Sequence, residues 1–326
     1  MTAPRAVNET RRAKYLTATW SLTKVRMLLA MRNRAFFFFS LMMPMLFLVV
    51  AVVFIGRHGG FLSEYVLGAL LTVTVMGSFW GLSVQLVTFR EQGILRRFRL
   101  APIGAGPLLA SSILSNYVIT LPTLLVEILV CRWVLHIHNW GNPWAIFLLI
   151  TFGSAAFSSF GLIVASVTNT MQETQLINQL IWLAFLFLSG ATVPLSEMPL
   201  WIRRAALFMP ATYLAAGLET STTSRVNLVD LGTDVLGLAV ALWVAFEISR
   251  RLFRWEPEAK VPRRAKLWVV VAMVPFFVFG TYENLYGGLL DRIDQTLNFH
   301  SIAAKHPERP APQAHAEIPP QLSFPR

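Results

Sequence analysis

Long apolar stretches, separated by short polar segments, run through most of this chain. Six of them are 18 or more residues long, at positions 35–55, 65–89, 108–135, 144–167, 175–193 and 231–248. About 20 apolar residues in a helix span the hydrocarbon core of a bilayer. A helix also satisfies its own backbone hydrogen bonds, which lipid cannot do. The pattern therefore predicts an all-α integral membrane protein with six spans. The low charged fraction agrees, since 14% of residues are charged against about 25% in a typical soluble domain.

The positions of the basic residues predict the orientation. Nineteen Lys and Arg residues lie in segments 1–34, 90–107 and 249–266. The loops predicted on the other side of the membrane carry only four Lys or Arg residues. Loops rich in Lys and Arg remain in the cytoplasm, so we expect a cytoplasmic N-terminus. Although the net charge is +11, these clusters flank apolar spans and indicate contact with membrane lipids. They do not form the basic patch of a nucleic-acid-binding protein, and we expect no nucleic-acid partner.

The chain divides into four regions. Residues 1–34 form a cytoplasmic N-terminus and residues 35–254 the six-span domain. Residues 255–282 form a basic linker and an extra apolar run. Residues 283–326 form a polar tail, rich in Pro, Ala and His toward its end, which we expect to be partly disordered. The apolar run 267–282 contains Pro275. It predicts a seventh span, and a helix lying on the cytoplasmic face is the alternative.

Two further segments have helical character without the length of a span. In the N-terminus, Leu16, Trp20, Thr23 and Met27 recur at helical spacing. They predict an amphipathic helix at the membrane interface, with a short solvated helix as the alternative. The apolar segments 200–209 and 211–218 are separated by a proline and are too short to cross. They predict re-entrant or interfacial helices on the outer side.

Two spans carry polar faces at helical spacing. In the second span this face comprises Thr74, Ser78, Gly81, Gln85 and Thr88. In the fifth span it comprises Gln175, Asn178, Trp182, Phe185 and Ser189. Polar groups within a bilayer need partners, so such faces either join helices or line a wet path. Their mixture of hydroxyl, amide and aromatic groups suits an amphipathic substrate. The fourth span carries the small residues Ser154, Ser158, Gly161 and Ala165, which predict close helix packing.

Glu127 is the conspicuous charge within a span. Intramembrane acids are candidate functional groups, so Glu127 is a hypothetical proton-coupling residue, with snorkelling toward the outer surface as the alternative. His136 and His138 have no Cys, Asp or Glu beside them, and Cys131 is the single cysteine. We therefore predict no metal site.

Enzymatic signatures do not stand out in these 326 residues. There is no G-x-S-x-G, no H-E-x-x-H and no Gly-Lys dipeptide. Without Gly-Lys there is no Walker A loop to hold nucleotide phosphates. We therefore predict a chain with no catalytic residues and no bound cofactor. If ATP powers its function, a separate subunit must bind it.

Two segments carry a family resemblance. The first is FREQGILRRFRLAP at 89–102, in which the pattern residues are Arg90, Glu91, Gly93, Leu95, Arg96, Arg97 and Pro102. It resembles the cytoplasmic segment after the second span of the type-2 ABC exporter permeases. The second is SGATVPLSEMPLWIRRAALFMPATYLAAGL at 189–218, in which the pattern residues are Gly190, Pro194, Met198, Pro199, Pro210 and Tyr213. It is similar to the outer re-entrant segment of the same family.

This resemblance implies a six-helix permease bundle with an N-terminal interfacial helix in the plasma (inner) membrane of a prokaryote. It also implies an ABC ATP-binding subunit as partner, which holds ATP and Mg, and a homodimer or heterodimer of permeases. The cargo would be an amphipathic drug-like compound, lipid or glycan. The run 267–282 and the tail have no counterpart in the usual six-span unit.

The resemblance further implies that residues 90–97 couple the permease to its ATPase. Ile94, Leu95 and Phe98 would insert into a groove on that subunit, with Arg96 and Arg97 exposed. A basic loop that only enforces topology is the alternative. Two other functions remain open: a proton-coupled secondary transporter that uses Glu127, and a membrane enzyme or anchor, for which we find no clustered polar site.

Overall fold

The structure of the protein is a computed structural model. It describes residues 3–32, 61–100, 104–134, 141–193, 195–223, 231–255 and 265–285, together with positions 42, 45, 46, 49, 288 and 289. The predicted first span, 35–55, lies outside these residues except at four isolated positions. The predicted tail lies outside them beyond position 289.

Every regular element in the described part of the chain is helical. In chain order, with one short 3₁₀ turn at Leu195–Glu197, the α-helices are α1 (Ala3–Arg32), α2 (Phe61–Glu91), α3 (Ile94–Leu100), α4 (Ala105–Val134), α5 (Pro143–Val167), α6 (Met171–Leu188), α7 (Leu200–Ala206), α8 (Pro210–Thr223), α9 (Gly232–Leu252) and α10 (Ala265–Leu285).

Four of the described helices contain segments long and apolar enough to cross a membrane. These segments are Tyr65–Glu91, Ala105–Trp133, Pro143–Val167 and Gly232–Leu252. They correspond to the predicted second, third, fourth and sixth spans. The predicted fifth span, 175–193, corresponds to α6, which has 18 residues. The first half of α6 is polar, with Gln172, Glu173 and Gln175. Helix α6 is therefore not apolar enough to count among the four candidate membrane spans.

Helix α2 lies at the centre of the bundle and packs against α4, α5, α6 and α8. Its closest approach is to α5, where a Cβ atom placed on Gly161 would overlap the backbone of Phe79. Ser154, Ser158 and Ala165 on the same helix are also fully buried. The small residues of the fourth span therefore serve close packing, as the sequence predicts.

The N-terminal helix does not present the predicted stripe on one face. Leu16 is 67% exposed and Trp20 is 55% exposed, but Thr23 is fully buried. Helix α1 packs against α4, and Arg26, which is 7% exposed, lies on the buried side. The four positions span the border between the protein-facing and outward faces, because the tertiary contact with α4 sets the helix rotation.

Helix α10 packs against α9. It follows α9 in the chain, yet near its C-terminal end Phe279 lies 6.5 Å from the ring of Tyr213 on α8. Tyr213 in turn lies beside Gly237, near the start of α9. Further back along α10, Phe276 packs on Phe160 of α5 at 5.8 Å. The C-terminal half of α10 therefore packs against α5 and α8.

Helices α7 and α8 occupy the predicted short segments. Helix α7 has 7 residues, and α8 has 14. They are separated at Pro210, as the sequence predicts. Residues 210–218 of α8 are buried throughout, and α8 packs against α2, α5 and α9. These short helices therefore form part of the packed core at the end of the bundle where α9 begins.

Candidate functional site

A buried carboxyl group joins α4 to α2. Glu127 is fully buried, and its Oε1 accepts a hydrogen bond of 2.5 Å from the hydroxyl of Thr74. Its second oxygen, Oε2, is buried without a hydrogen-bond partner. The predicted intramembrane acid therefore faces a neighbouring helix and does not snorkel outward. A buried group with one unsatisfied oxygen is costly, and a carboxyl group within a membrane helix is a candidate functional group.

Polar contacts continue along α4 below this pair. The amide of Asn116 donates to the carbonyl of Ser78 on α2 at 3.1 Å and to the hydroxyl of Ser158 on α5 at 2.9 Å. Ser78 is 4% exposed, and its hydroxyl has no hydrogen-bond partner. Around Ser78, the polar face of α2 therefore helps to join α2, α4 and α5. This agrees with the alternative in which the face packs helices together instead of lining a wet path.

The polar face of α6 also points inward. Asn178 is fully buried, and its amide donates to the hydroxyl of Ser83 on α2 at 2.7 Å. Ser189 is fully buried at the end of the helix, where its hydroxyl accepts from the backbone N–H of Ala191. Gln175, at the other end, is exposed. Four of the five predicted residues thus face the bundle, and Gln175 lies apart from them.

Aromatic side chains close the space between α2 and α6. Trp182 lies 6.3 Å from both Phe79 and Trp80. Phe185 packs edge to face on Phe79 at 5.9 Å and on Phe157 of α5 at 5.5 Å. Edge-to-face pairs contribute about 0.5–1.5 kcal/mol beyond area burial. The structure therefore holds α2 and α6 in direct contact at the predicted path.

The opposite side of α2 is more open. Thr74 and Gln85 are half-buried, and Gly81 is exposed. A Cβ atom at Gly77 would meet no atom within 4 Å. Thr74, Gly77, Gly81 and Gln85 therefore form a shallow, small-residue face, which we call the α2 groove. It is the part of the predicted polar face that remains accessible.

The segment that follows α2, which the sequence predicts to be cytoplasmic, contains residues with two different environments. Arg90 is 3% exposed and donates to the carbonyls of Ala165 at 2.8 Å and Thr168 at 2.7 Å. Glu91 accepts a hydrogen bond of 2.8 Å from the backbone N–H of Met171. Both residues, predicted as contacts to an ATPase, therefore bind the turn between α5 and α6 within the chain.

Helix α3 follows a sharp turn at Gly93, which has φ of +69°. Leu95 is fully buried against the apolar cluster that contains Leu82 and Leu162. The prediction that Leu95 inserts into a partner is thus wrong for this structure, because the side chain already fills a core position. The remaining face of α3 exposes Arg96 and Arg97 and leaves Ile94 half-buried.

Several residues of this region were missed in the sequence. Ser112, Asn116, Thr120, Thr123 and Glu127 recur on α4 at helical spacing, a third polar face that periodicity would have revealed. Arg26 donates to the hydroxyl of Ser112 at 2.5 Å, and burial lowers its pKa to about 10. Arg254 donates to the carbonyl of Thr168 at 2.7 Å. No sequence signal distinguishes these two cations from the many surface arginines.

In the part of the chain that the structure describes, no three His, Cys, Asp or Glu side chains lie close enough together to hold a metal ion. His136 and His138 lie outside the described residues. Cys131 is free and buried.

Apolar helices of spanning length, packed through buried hydroxyl, amide and carboxyl groups, define a multi-pass helical membrane protein. Comparison with known proteins gives the family. The family described as "ABC-2 type transporter" matches residues 17–221. This chain therefore belongs to the ABC-2 type transporter family.

Two curated relatives align over 164 residues, half of this chain. The linearmycin resistance permease protein LnrN of Bacillus subtilis (strain 168) is 25% identical, and the alignment covers 41% of it. The "Probable multidrug ABC transporter permease YbhR" of Escherichia coli (strain K12) is 19% identical, and the alignment covers 43% of it. The chain thus spans less than half the length of these relatives.

Proposed function

We propose that this chain is the membrane-spanning permease subunit of an ABC exporter in a prokaryotic plasma (inner) membrane. A separate ATP-binding subunit, which holds ATP and Mg, would supply the energy. The observation that carries the proposal is the family match over 17–221. It includes the cytoplasmic helix α3, on which Arg96 and Arg97 are exposed and available to a soluble partner.

The coupling surface is narrower than the sequence alone indicates. Arg96, Arg97 and the half-buried Ile94 form the outward face of α3, and Leu95 anchors the helix to the bundle. A short helix seated in a groove of the ATPase would transmit movement through this anchor. Arg96 and Arg97 would interact with acidic groups on the partner, and such a contact would weaken as salt increases.

The exported cargo would pass along α2. We place the entry at the α2 groove, where Thr74 and Gln85 offer polar groups beside two glycines. The contact of Trp182 and Phe185 with α2 is a closed state of the path. ATP binding would bias the protein toward an arrangement in which α2 and α6 separate. An amphipathic cargo (a drug-like compound, lipid or glycan) fits a path with hydroxyl, amide and aromatic groups.

A second permease chain would cover the outward face of α6. This face combines the exposed amides of Gln172, Gln175 and Gln179 with Leu180, which is 70% exposed, and Phe187, which is 56% exposed. Amides facing lipid are costly, but amides facing another helix find partners. The face therefore fits a dimer interface better than a lipid boundary, for a homodimer or a heterodimer.

The remaining elements complete the topology. With a cytoplasmic N-terminus, α7 and α8 lie on the outer side as re-entrant helices. Helix α10 would return across the membrane as an extra span, which places residues after 285 outside. The N-terminal helix would lie in the inner interface, where Lys24 lies 5.4 Å from the centre of the Trp20 ring. Lys and Trp side chains both favour the headgroup region.

Purification of the tagged chain in mild detergent tests the proposal. We expect a stoichiometric partner that hydrolyses ATP, and we expect Arg96→Glu together with Arg97→Glu to release it. Thr192→Ala, a change at an exposed position four residues beyond the C-terminal end of α6, is the control. A homogeneous chain that transports without any ATP-hydrolysing partner would overturn the proposal.

A proton-coupled secondary transporter is the second candidate. It is favoured by the buried Glu127 carboxyl, whose Oε2 has no partner. It requires that transport persist after ATP depletion, collapse with the proton gradient and disappear in Glu127→Gln. The exporter proposal expects the first two results to be reversed.

A further inference from the structure

The turn that joins α5 to α6 is bound by three side chains, two at the end of α2 and one that follows α9. The backbone carbonyl of Thr168 accepts hydrogen bonds of 2.7 Å from Arg90 at the end of α2 and from Arg254 just after α9. The backbone N–H of Met171, the first residue of α6, donates to Glu91. The ends of four helices thus meet at a turn of three residues, 168–170.

The bonds of Arg90 match what the end of a helix lacks. The last four carbonyls of a helix have no partner within it, and they carry a partial negative charge. Arg90 occupies this position with two short bonds, to Ala165 and Thr168. Charge-assisted hydrogen bonds of this kind are about twice as strong as neutral ones. The guanidinium is therefore a rigid link between α2 and α5.

The bond of Glu91 acts on the next helix in the same way. Its carboxylate accepts from the start of α6, where N–H groups lack intrahelical partners and negative charge is favoured. The turn itself is stiff. Thr170 caps α6 by accepting from the backbone N–H of Glu173 at 3.2 Å, and the Glu173 carboxylate accepts from the backbone N–H of Asn169 at 2.8 Å. A displacement of Glu91 would therefore move α6.

Only a short linker connects helix α3 to α2 and to the bound turn at 168–170. Two residues, Gln92 and Gly93, separate Glu91 from α3, and Leu95 is fully buried against residues of α2 and α5. The exposed arginines of α3 and the bound turn therefore belong to one packed unit.

We propose that Arg90, Glu91 and Arg254 form a clamp that transmits movement of α3 to α5, α6 and α9. They are positioning residues of the transport cycle and not contacts to the ATPase. This inference rests on the proposed function and deepens it. For Glu91 it replaces a charge-dependent docking role with a requirement for a hydrogen-bond acceptor.

The substitution of Glu91 separates the two roles. Glu91→Ala removes the acceptor, whereas Glu91→Gln removes the charge and keeps a carbonyl oxygen that can accept from Met171. A clamp requires Gln to restore what Ala loses, within about fivefold because the helix-end charge effect is small. A docking ion pair requires Gln and Ala to be equally defective.

The experiment uses the full chain with its co-purified ATPase subunit. Spin labels on Gln92, which is exposed, and on Gln172, which lies in the first turn of α6 on the proposed dimer face, report by electron paramagnetic resonance the distance between the α3 segment and α6. A complex labelled at Gln172 alone identifies any distance that runs between two permease chains. In the native complex we expect one distance with and without vanadate-trapped nucleotide. In Glu91→Ala we expect the separated population to rise about ten- to hundredfold, as the loss of a charged hydrogen bond implies, with the ATPase subunit still bound.

Two further variants complete the test. Arg254→Ala removes one of the two donors to Thr168 from a half-buried position and is expected to separate α9 from the turn without loss of the ATPase. It is preferred to a substitution of Arg90, which is 3% exposed and whose loss is expected to impair folding. Arg97→Ala is the matched control on α3, and it is expected to weaken ATPase binding without changing the Gln92 to Gln172 distance.

The outcomes are distinguishable. Release of the ATPase by both Glu91→Ala and Glu91→Gln, with an unchanged distance, overturns the clamp and leaves the exporter proposal intact. A native chain that binds no ATPase overturns the exporter proposal and the clamp's role together. Restoration of the single distance by Glu91→Gln, with the ATPase bound throughout, establishes the clamp.

Discussion

The hydroxyl of Thr74 on α2 donates a hydrogen bond of 2.5 Å to the Oε1 atom of Glu127 on α4. Both residues lie within helices of spanning length, at positions separated by 53 residues in the chain. The carboxyl is fully buried, and its other oxygen has no hydrogen-bond partner. Thr74 therefore has a larger role than a surface hydroxyl, because it gives this buried carboxyl a partner.

Thr74→Val tests that role. Removing the donor leaves both carboxyl oxygens unsatisfied, so we expect the free energy of unfolding in detergent to fall by about 1–3 kcal/mol. Thr72→Val is the matched control on the same helix, since Thr72 donates only to the carbonyl of Gly68 within its own helix, at 2.7 Å. An equal loss in both variants, measured by thermal unfolding, would contradict the importance of the Thr74 contact.

Gly161→Ala is expected to disturb the contact between α5 and α2. The new Cβ would overlap the backbone of Phe79, which cannot rotate away as a side chain does. Overpacking of this kind costs about 1–3 kcal/mol. In Gly77→Ala the new Cβ meets no atom within 4 Å, so we expect equal or slightly greater stability, up to about 1 kcal/mol. Unfolding of the two purified variants in the same detergent measures the contrast.

Gly93 sets the direction in which α3 leaves α2. At φ of +69° a β-branched residue is strained, and a left-handed residue costs about 1–2 kcal/mol. We expect Gly93→Val to reduce recovery of the ATPase subunit, and Gly93→Asn to retain most of it because Asn tolerates this conformation. No neighbouring atom lies within 4 Å of the added Cβ, so a steric clash does not distinguish the two variants. If Val and Asn reduce recovery of the ATPase subunit equally, the left-handed backbone of Gly93 is not the cause.

Cysteine crosslinking tests the dimer face on α6. In a Cys131→Ala background, Leu180→Cys is expected to give a disulfide-linked permease dimer in native membranes under mild oxidation. Trp243→Cys on α9 is the control, because Trp243 is 69% exposed and Leu180 is 70% exposed. If Trp243→Cys crosslinks and Leu180→Cys does not, the interface lies on α9. A crosslinked product whose mass is not twice that of this chain indicates a heterodimer with a different permease that carries its own cysteine.

Reporter fusions test whether α10 crosses the membrane. Alkaline phosphatase fused after residue 285 is expected to be active, and green fluorescent protein fused there is expected to be dark, because a seventh span at α10 would carry the chain outward. Fusions after residue 255 should show the reverse pattern. Fluorescence of both green fluorescent protein fusions, after residue 255 and after residue 285, would support the alternative in which α10 remains on the cytoplasmic side.

The helices themselves were predictable in the part of the chain that the structure describes. The predicted stretches 65–89, 108–135, 144–167 and 231–248 correspond to α2, α4, α5 and α9 within a few residues at each end. Proline positions predicted the break between α7 and α8. These features are local, since apolarity over 20 residues and the lost N–H of proline act without reference to any neighbour.

The directions of the helix faces were less predictable. Trp20 and Thr23 lie close on a helical wheel, yet one is 55% exposed and the other fully buried. Asn178 faces the bundle as part of a predicted face, whereas Gln175 of that face is exposed. A periodic pattern gives the angle between side chains on one helix, but it does not give the rotation of that helix against its neighbours.

The sequence alone determined that this chain contains helices long and apolar enough to cross a membrane and carries the ABC-2 pattern at 89–102. Tertiary structure alone decided that Arg90 and Leu95 turn inward and Arg96 and Arg97 turn outward. In a membrane helix, apolar residues are stable both against lipid and against protein. Hydropathy therefore specifies that a helix crosses, and only the packed neighbours specify which of its side chains meet.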